Sequence, residues 1–135
     1  MKKIYLFILI SCSLVIFTSC EDKVEVKTTD LLGMWINKYD ANDTIIFSND
    51  MSQPIFEVKR GKEILGENYI PKSGSGFYWY EIRKDTIFVN YMLSSIGAKL
   101  SYHIDINKEK DEFIVNGNFT FYPSGEMQFT YKKVK

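Results

Sequence analysis

The sequence predicts an all-β fold, an up-and-down antiparallel meander of about 8–10 strands closing into a barrel, preceded by a cleaved signal peptide. Three observations carry this expectation. Beyond residue 33 the chain breaks into short runs rich in Ile, Val, Phe, Tyr, Trp and Thr, separated by turn residues. No window there shows apolar residues at helical spacing for three turns. The connections after residue 77 are too short for anything but antiparallel neighbours, since parallel strands need a crossover of a dozen residues or more.

The first element is a charged start, an apolar middle and a small-residue end. Lys2 and Lys3 precede an almost unbroken apolar stretch from Ile4 to Phe17, which gives way to Thr18, Ser19 and Cys20. This stretch is shorter than the ~20 apolar residues that span a bilayer, so residues 1–19 read as a removable lipoprotein signal peptide. Phe17-Thr18-Ser19-Cys20 has the form of a lipobox with Phe where Leu is usual, and Cys20 is the expected lipidation site. Cutting there leaves 116 of the 135 residues, the length of one domain. It also leaves 15 basic against 17 acidic residues, a net charge of −2, so no basic excess is available for nucleic acid. Of the two cysteines, Cys12 is discarded and Cys20 is acylated, which excludes a disulfide. Stability then rests on a core drawn from ten Phe, nine Tyr and two Trp, of which Tyr5, Phe7 and Phe17 are lost with the signal.

Residues 20–30 read as the lipidated Cys and a flexible tether, because 21–30 are mostly charged or polar without apolar periodicity. Thr29 or Asp30 is expected to cap one helical turn through Leu31 and Leu32, ended by Gly33. The barrel domain occupies 31–135. Its strands are expected near 34–39, 43–48, 54–60, 77–83, 86–92, 100–106, 112–116, 118–123 and 127–133, with a further one within 62–70. Asn116-Gly117 predicts a type I′ hairpin between residues 113–115 and 119–121. Lys84-Asp85 and Pro123-Ser124-Gly125 mark further reversals. The stretch 61–76 holds Gly61, Gly66, Pro71, Gly74 and Gly76 and reads as a mobile loop at a barrel mouth. Closure hides the two edges of such a meander, whereas the alternative, a two-sheet sandwich, needs longer crossing connections.

Leu31-Leu32-Gly33-Met34-Trp35, followed by Asp43-Thr44-Ile45-Ile46-Phe47, resembles the opening of the small bacterial lipocalin-like lipoproteins. Tyr80 to Val89 is similar to their mid-chain strand-turn-strand unit, and Leu100 to Val115 fits the hairpin that follows. The resemblance covers most of the mature chain through short motifs. It implies that Gly33 and Trp35 mark the barrel base, Gly33 by allowing close backbone approach and Trp35 by plugging the closed end. Better-known lipocalins hold small apolar ligands, so the resemblance implies a binding role by fold alone.

Candidate chemistry is sparse. In Phe77-Tyr78-Trp79-Tyr80, alternation sends Phe77 and Trp79 to one face and Tyr78 and Tyr80 to the other. Glu81 and Arg83 continue the first phase and favour its facing water, which makes Tyr78, Tyr80 and Ile82 the interior set and the candidate ligand-binding residues. Ordinary core filling by aromatics accounts for the same pattern. His103, the single histidine, shares a strand face with Ser101 and Asp105. Strand neighbours two apart lie roughly 7 Å from each other, so these three are not expected to form a hydrogen-bonded relay, and no catalytic residue is assigned. Asp40-Ala41-Asn42-Asp43 begins like a calcium loop, but Ile45 stands where Gly is required and Met51 replaces the bidentate Glu, so no metal site is expected. No cofactor is expected either.

Glu21 and Asp22 after Cys20 resemble the acidic signal that sends some lipoproteins outward on the outer membrane. Thr44 and Thr86 each follow Asp and precede Ile, which looks like a bacterial O-glycosylation acceptor, although any strand start has that form. The expectation is a non-enzymatic, lipid-anchored protein of the cell envelope, at the outer membrane and periplasmic or surface-facing. Its barrel mouth would hold a small apolar or glycan ligand or an envelope protein partner. The alternative is a structural or accessory envelope lipoprotein with a filled barrel and no small-molecule ligand.

Overall fold

The structure, a computed structural model, describes residues 24–49, 52–94, 97, 99–117, 119 and 127–135. The expected signal peptide, Cys20 and, apart from Phe119, the expected strand at 118–123 lie outside the described residues. One helical turn, α1 (Thr28–Leu31), precedes the strands β1 (Gly33–Asn37), β2 (Thr44–Ser48) and β3 (Ile55–Lys59). The short strands β4 (Lys62–Leu65) and β5 (Asn68–Pro71) come next, then β6 (Gly76–Arg83) and β7 (Thr86–Tyr91). The chain ends in β8 (Lys99–Ile106), β9 (Glu112–Asn116) and β10 (Gln128–Lys133).

Among the described residues eight of these strands close a barrel in the order β1-β10-β9-β8-β7-β6-β3-β2, with every neighbouring pair antiparallel. The all-β, closed up-and-down expectation is therefore met. The one departure from a plain meander is the β4–β5 hairpin, a separate two-stranded sheet inserted between β3 and β6. It occupies the glycine-rich stretch expected as a loop with one further strand within 62–70, and holds two short strands there. The antiparallel order sends the connections after β1, β3, β7 and β9 to one end, here called the mouth. The opposite end, the base, carries α1, the turns after β6 and β8, and the C-terminal residues.

Alternation decides which side chains fill the barrel. Phe47, Phe56, Tyr78, Tyr80, Phe113, Phe119 and Tyr131 are buried and meet ring to ring, with centroids 5.0 Å apart for Phe56–Tyr78, 5.2 Å for Phe47–Tyr80 and 5.0 Å for Phe113–Tyr131. Offset and edge-on contacts of this kind add to the area each ring removes from water. At the base, Trp35 is fully buried, donates its indole N–H to the Leu31 carbonyl at 2.6 Å and meets Phe113 edge-on at 4.8 Å. Lys133 lies over the indole at 5.1 Å and donates to the Asp30 carbonyl at 3.1 Å.

Three local expectations are corrected. The Asn116-Gly117 hairpin does not join residues 113–115 to 119–121: Asn116 pairs with Gln128, and the Gly117 N–H donates to the Met127 carbonyl at 2.8 Å. Barrel closure gives β9 only two neighbours, β8 and β10, so Phe119 instead turns inward at φ 54° and is buried between Phe56 and Tyr102. The helical turn starts after Lys27, and Asp30 lies within it, accepting from the Lys27 backbone N–H at 3.2 Å rather than capping a later turn. The expected tether over 21–30 is docked from residue 24 onward, because Val26 is buried and Val24 packs against the core.

Candidate functional site

Inward alternation carries three polar residues as well as the core. Asn37 follows Trp35 in phase, Asp43 precedes Ile45, and Arg60 continues Phe56 and Val58 past the end of β3. All three are more than nine-tenths buried at the mouth. Asp43 Oδ2 accepts from Asn37 Nδ2 at 3.0 Å and from the Tyr131 hydroxyl at 2.7 Å, while Arg60 Nε faces Asp43 Oδ1 at 3.3 Å. The guanidinium also donates to the Ser73 carbonyl at 3.1 Å. A buried ion pair tolerates desolvation when its remaining hydrogen-bonding capacity is filled in this way.

The pair also fixes the neck of the β4–β5 hairpin. Ser73 is held by Arg60, the Lys72 N–H donates to the Gly61 carbonyl at 3.1 Å, and the Tyr78 hydroxyl lies 2.9 Å from the Gly74 carbonyl. Beyond Val58 and Gly76 the ladder between β3 and β6 stops. A cleft of about 450 Å³ opens at that seam, within the range of small-molecule sites. Val58 borders it from β3 and Arg60 from just past its end, Pro71 and Lys62 from the hairpin, Gly76 and Phe77 from β6, and Tyr91 and Leu93 from β7 and its exit. Gly76 is required here: at φ 134° a Cβ would meet Tyr91 Cε2 at 2.7 Å, so its absence lets the Tyr91 ring lie across the backbone.

The lining is mainly apolar, with a basic side. Lys59 is paired with Glu57 at 3.2 Å, whereas Lys62 forms no ion pair among the described residues. The Ser75 hydroxyl, also on the cleft, is buried and lacks a hydrogen-bond partner among the described residues. Next to the cleft the hairpin exposes Ile64, Leu65 and Tyr69, each about two-thirds or more open to solvent.

The expected ligand-binding residues are placed differently from the cleft. Tyr78 and Tyr80 are buried and Ile82 packs partly buried against the core, so all three share the inner face. Tyr78 stacks on Phe56, and burial pushes its phenol up from 10.0 to about 12, against the lowering influence of Arg60. Burial likewise raises Tyr80, whose hydroxyl has no hydrogen-bond partner among the described residues. None of the three borders the mouth cleft. Tyr80 instead borders a smaller hollow of about 210 Å³ beside Trp79 and Phe88 on the barrel wall. Gly33, at φ 114°, and Trp35 are both at the base.

His103 departs from its expectation in one respect. Its Nε2 lies 2.9 Å from Asp105 Oδ2 and its Nδ1 3.5 Å from Asp85 Oδ2, because the side chains lean together across a spacing that holds their backbones apart. Among the described residues no hydrogen bond joins Ser101 to this pair, and Ser101 and Asp105 are exposed on the outward face of β8. Asp40 to Asp43 form a tight turn closed by Asp43 N–H to the Asp40 carbonyl at 3.0 Å, with Asp43 turned into the barrel. Thr44 and Thr86 are half-buried strand starts, the latter donating to Asp85 at 3.2 Å. Among the described residues no three His, Cys, Asp or Glu side chains are grouped as a metal site requires, and no helix is long and apolar enough to cross a membrane.

The cleft and the Asn37–Asp43–Arg60–Tyr131 network are the features that sequence reasoning missed. A signal was present: three polar residues occur in the inward phase at strand ends that antiparallel pairing brings together. Fold and site together define a closed eight-stranded antiparallel β-barrel with a bound-off interior and an open cleft at one rim. Comparison with known proteins finds no matching family model, no matching curated protein and no matching solved structure.

Proposed function

We propose that this chain is a membrane-anchored binding module of the cell envelope, a lipocalin-like barrel that holds its ligand at the mouth and not in the interior. The mouth cleft is the observation that carries this reading. It joins an apolar lining to a few convergent polar groups, the usual make-up of a small-molecule site, while the interior is occupied by stacked aromatics. A small apolar or glycan ligand, or a side chain of a partner protein, fits its dimensions. The net charge of −2 after cleavage makes nucleic acid an unsuitable partner.

Acylation of Cys20 gives the cleft an orientation. Any chain spanning four residue steps reaches at most about 14 Å, and Val24 borders Lys84, Asp85 and Asp105 at the base. A lipid on Cys20 therefore holds the base near the membrane and turns the mouth away from it, toward soluble ligands. With Glu21 and Asp22 following the cysteine, the outer membrane is the location this reading favours.

Amide-resolved NMR with alkyl chains, oligosaccharides and short peptides tests the seat. Shifts confined to residues 58–62, 75–77 and 91–93 are expected for one class. If no class moves those amides, the binding reading falls. Mass spectrometry of the native protein tests the anchor: an acylated N-terminal Cys20 is expected, and an unmodified Cys20 ends the lipoprotein claim. A second reading, an accessory or structural envelope subunit, is favoured by the filled interior and by the exposed Ile64, Leu65 and Tyr69 on the hairpin.

A further inference from the structure

We infer that the outer wall of the barrel carries a second site, for a neutral pyranose unit of a glycan, whose C–H face lies against the Trp79 ring and whose neighbouring hydroxyls engage Glu81 and Lys99. This site is separate from the mouth cleft and does not depend on it.

Strand register assembles it. Trp79 on β6 stands opposite Asn90 on β7, and Asn90 opposite Lys99 on β8, while Glu81 stands opposite Phe88. Alternation turns these five side chains outward, and opposed neighbours on one face lie about 5 Å apart. Gln53 joins them from the segment before β3, where the Tyr80 N–H donates to the Pro54 carbonyl at 3.1 Å and carries the β3–β6 pairing further toward the base. The six border an open hollow of about 210 Å³. That is smaller than the about 300–1,000 Å³ of drug-sized sites and suits one ring rather than an extended chain.

Trp79 is the free aromatic surface of the hollow. Trp35, the other tryptophan, is fully buried and donates its N–H to Leu31. Trp79 is half-buried, and among the described residues its ring meets no other ring or cation. Its N–H has no hydrogen-bond partner there and is not closed off from solvent. The neighbouring Phe88 ring is already engaged, by Arg83 at 5.2 Å and Lys99 at 5.0 Å. The negative face of an indole attracts the slightly positive C–H groups of a sugar ring, and the N–H at its edge donates to a hydroxyl.

The polar groups call for hydroxyls, which donate and accept at once. Glu81 accepts from Arg83 at 2.8 and 3.1 Å and from Lys99 at 3.0 Å, and these hydrogen bonds hold its carboxyl down to about 2. A carboxylate accepts more bonds than these and an ammonium donates more than one, so both retain capacity side by side. An acceptor and a donor 3.0 Å apart match two neighbouring hydroxyls of a pyranose. The bordering charges, Glu81 and Lys99, cancel, which leaves an ionic ligand without a counter-charge. Gln53 is exposed and adds an amide with no hydrogen bond among the described residues. Asn90 Oδ1 is closed off from solvent and takes no part.

The test uses the chain from residue 20 with Cys20→Ser, which retains every described residue of the barrel. Methyl β-glucoside, glucuronate, choline and tri-alanine are titrated at neutral pH and read by amide and indole N–H shifts. The glucoside is expected to move the Trp79 indole resonance and the amides of 79, 81, 88 and 90 at millimolar concentration, and to leave the Trp35 resonance still. Glucuronate and choline should bind several-fold more weakly. Trp79→Leu keeps an apolar side chain and should abolish the amide shifts. Glu81→Gln, at an exposed position, removes the charge that offsets Lys99 and should bring glucuronate to bind more tightly than the glucoside. No response of the Trp79 resonance to the glucoside overturns the inference, as do amide shifts that survive Trp79→Leu. Glucuronate or choline binding as tightly as the glucoside to the chain with Glu81 intact overturns the neutral ligand. Tri-alanine moving the same resonances equally well overturns the sugar in favour of a peptide. The amides at 58–62, 75–77 and 91–93 report on the mouth in the same spectra, so the two sites stand or fall separately.

Discussion

The two ends of the barrel are closed by different physics. At the base, the seal is built on one large ring: Trp35 packs on Phe113, hydrogen-bonds four residues back to Leu31, and is roofed by Lys133. At the mouth, the seal is polar and assembled from distant parts of the chain. Asp43 meets Arg60 across 17 positions and Tyr131 across 88, while Phe119 is buried against Phe56 and Tyr102. An apolar plug fills space and does little else. A polar lid stays buried only while each member keeps its partner, and it leaves hydrogen-bonding groups at a rim where the hairpin holds a cleft open.

Removing one member of each seal separates them most sharply. Trp35→Ala should cost about 3–5 kcal/mol through lost burial and the cavity left behind. Asp43→Ala should cost a similar 3–5 kcal/mol for another reason, since it strands the Arg60 guanidinium in the interior. Denaturant unfolding distinguishes the two through a double mutant. Asp43→Ala with Arg60→Met is expected to recover much of the loss, because the uncompensated charge is gone, and the shared network makes the effects non-additive. A double mutant as unstable as the sum of its singles would show that the mouth is sealed by packing after all.

Backbone positions give the next contrast. Gly117 at the mouth sits at φ 110°, and a Cβ there would come within 2.5 Å of Tyr102 Cδ1, part of a rigid buried ring. Gly33 at the base sits at φ 114°, but its added Cβ would meet only the Lys133 Cε at 3.4 Å, the end of a flexible chain. Gly117→Ala is therefore expected to destabilise more than Gly33→Ala, which carries the conformational penalty of about 1–2 kcal/mol alone. Thermal unfolding of the two variants checks the order.

The sequence made one end far more legible than the other. Gly33 and Trp35 are close to each other and to Leu31, so the base could be placed from a local motif. Strand phase was equally readable, and it put Tyr78, Tyr80 and Ile82 inside. The mouth network depends on register between strands far apart in sequence, which alternation alone does not supply. Yet Asn37, Asp43 and Arg60 each stood in the inward phase, and polar residues there were the available clue. The misplaced hairpin after Asn116 has a related cause. Phe119 and Phe121 look like strand residues locally, but closure reserves the edge of β9 for β10. The His103–Asp105 contact shows a limit of another kind, since side-chain lean is invisible to backbone spacing.

The ends should also respond to opposite extremes of pH. At the mouth and in the interior, burial raises Tyr78, Tyr80, Tyr102 and Tyr131, with the Asp43 charge adding to Tyr131. Their protons are held longer in the folded chain, so the stability they contribute is complete below pH 10.0 and is lost as pH rises, through about 12 for Tyr78. At the base, burial alone would raise Asp30, but hydrogen bonds from Lys110 and the Lys27 N–H, with their charges, outweigh it and lower the value. Its contribution is present above 3.8 and is lost as pH falls below. Hydrogen exchange should show α1 loosening first in acid and the mouth strands first in alkali. The same order of opening at both extremes would mean the two seals are not electrostatically distinct.

The smallest expected effect is the most discriminating for the interior. Tyr78 and Tyr80 are two residues apart on β6, both buried in the same aromatic cluster, Tyr78 stacked on Phe56 and Tyr80 edge-on to it. Their hydroxyls differ. Tyr78 points to the mouth, within 2.9 Å of the Gly74 and Phe119 carbonyls, and so helps to hold both the hairpin neck and the Phe119 backbone. Tyr80 has no hydrogen-bond partner among the described residues. Tyr78→Phe should cost about 0.5–1.5 kcal/mol, the net worth of a typical buried hydrogen bond. Tyr80→Phe keeps the ring and removes a desolvated hydroxyl, so it should be neutral or stabilising by up to about 1 kcal/mol. Chemical denaturation resolves a difference of this size. If Tyr80→Phe destabilised as much as Tyr78→Phe, the Tyr80 hydroxyl would have to be engaged, and the interior would hold a polar partner that its aromatic packing does not provide.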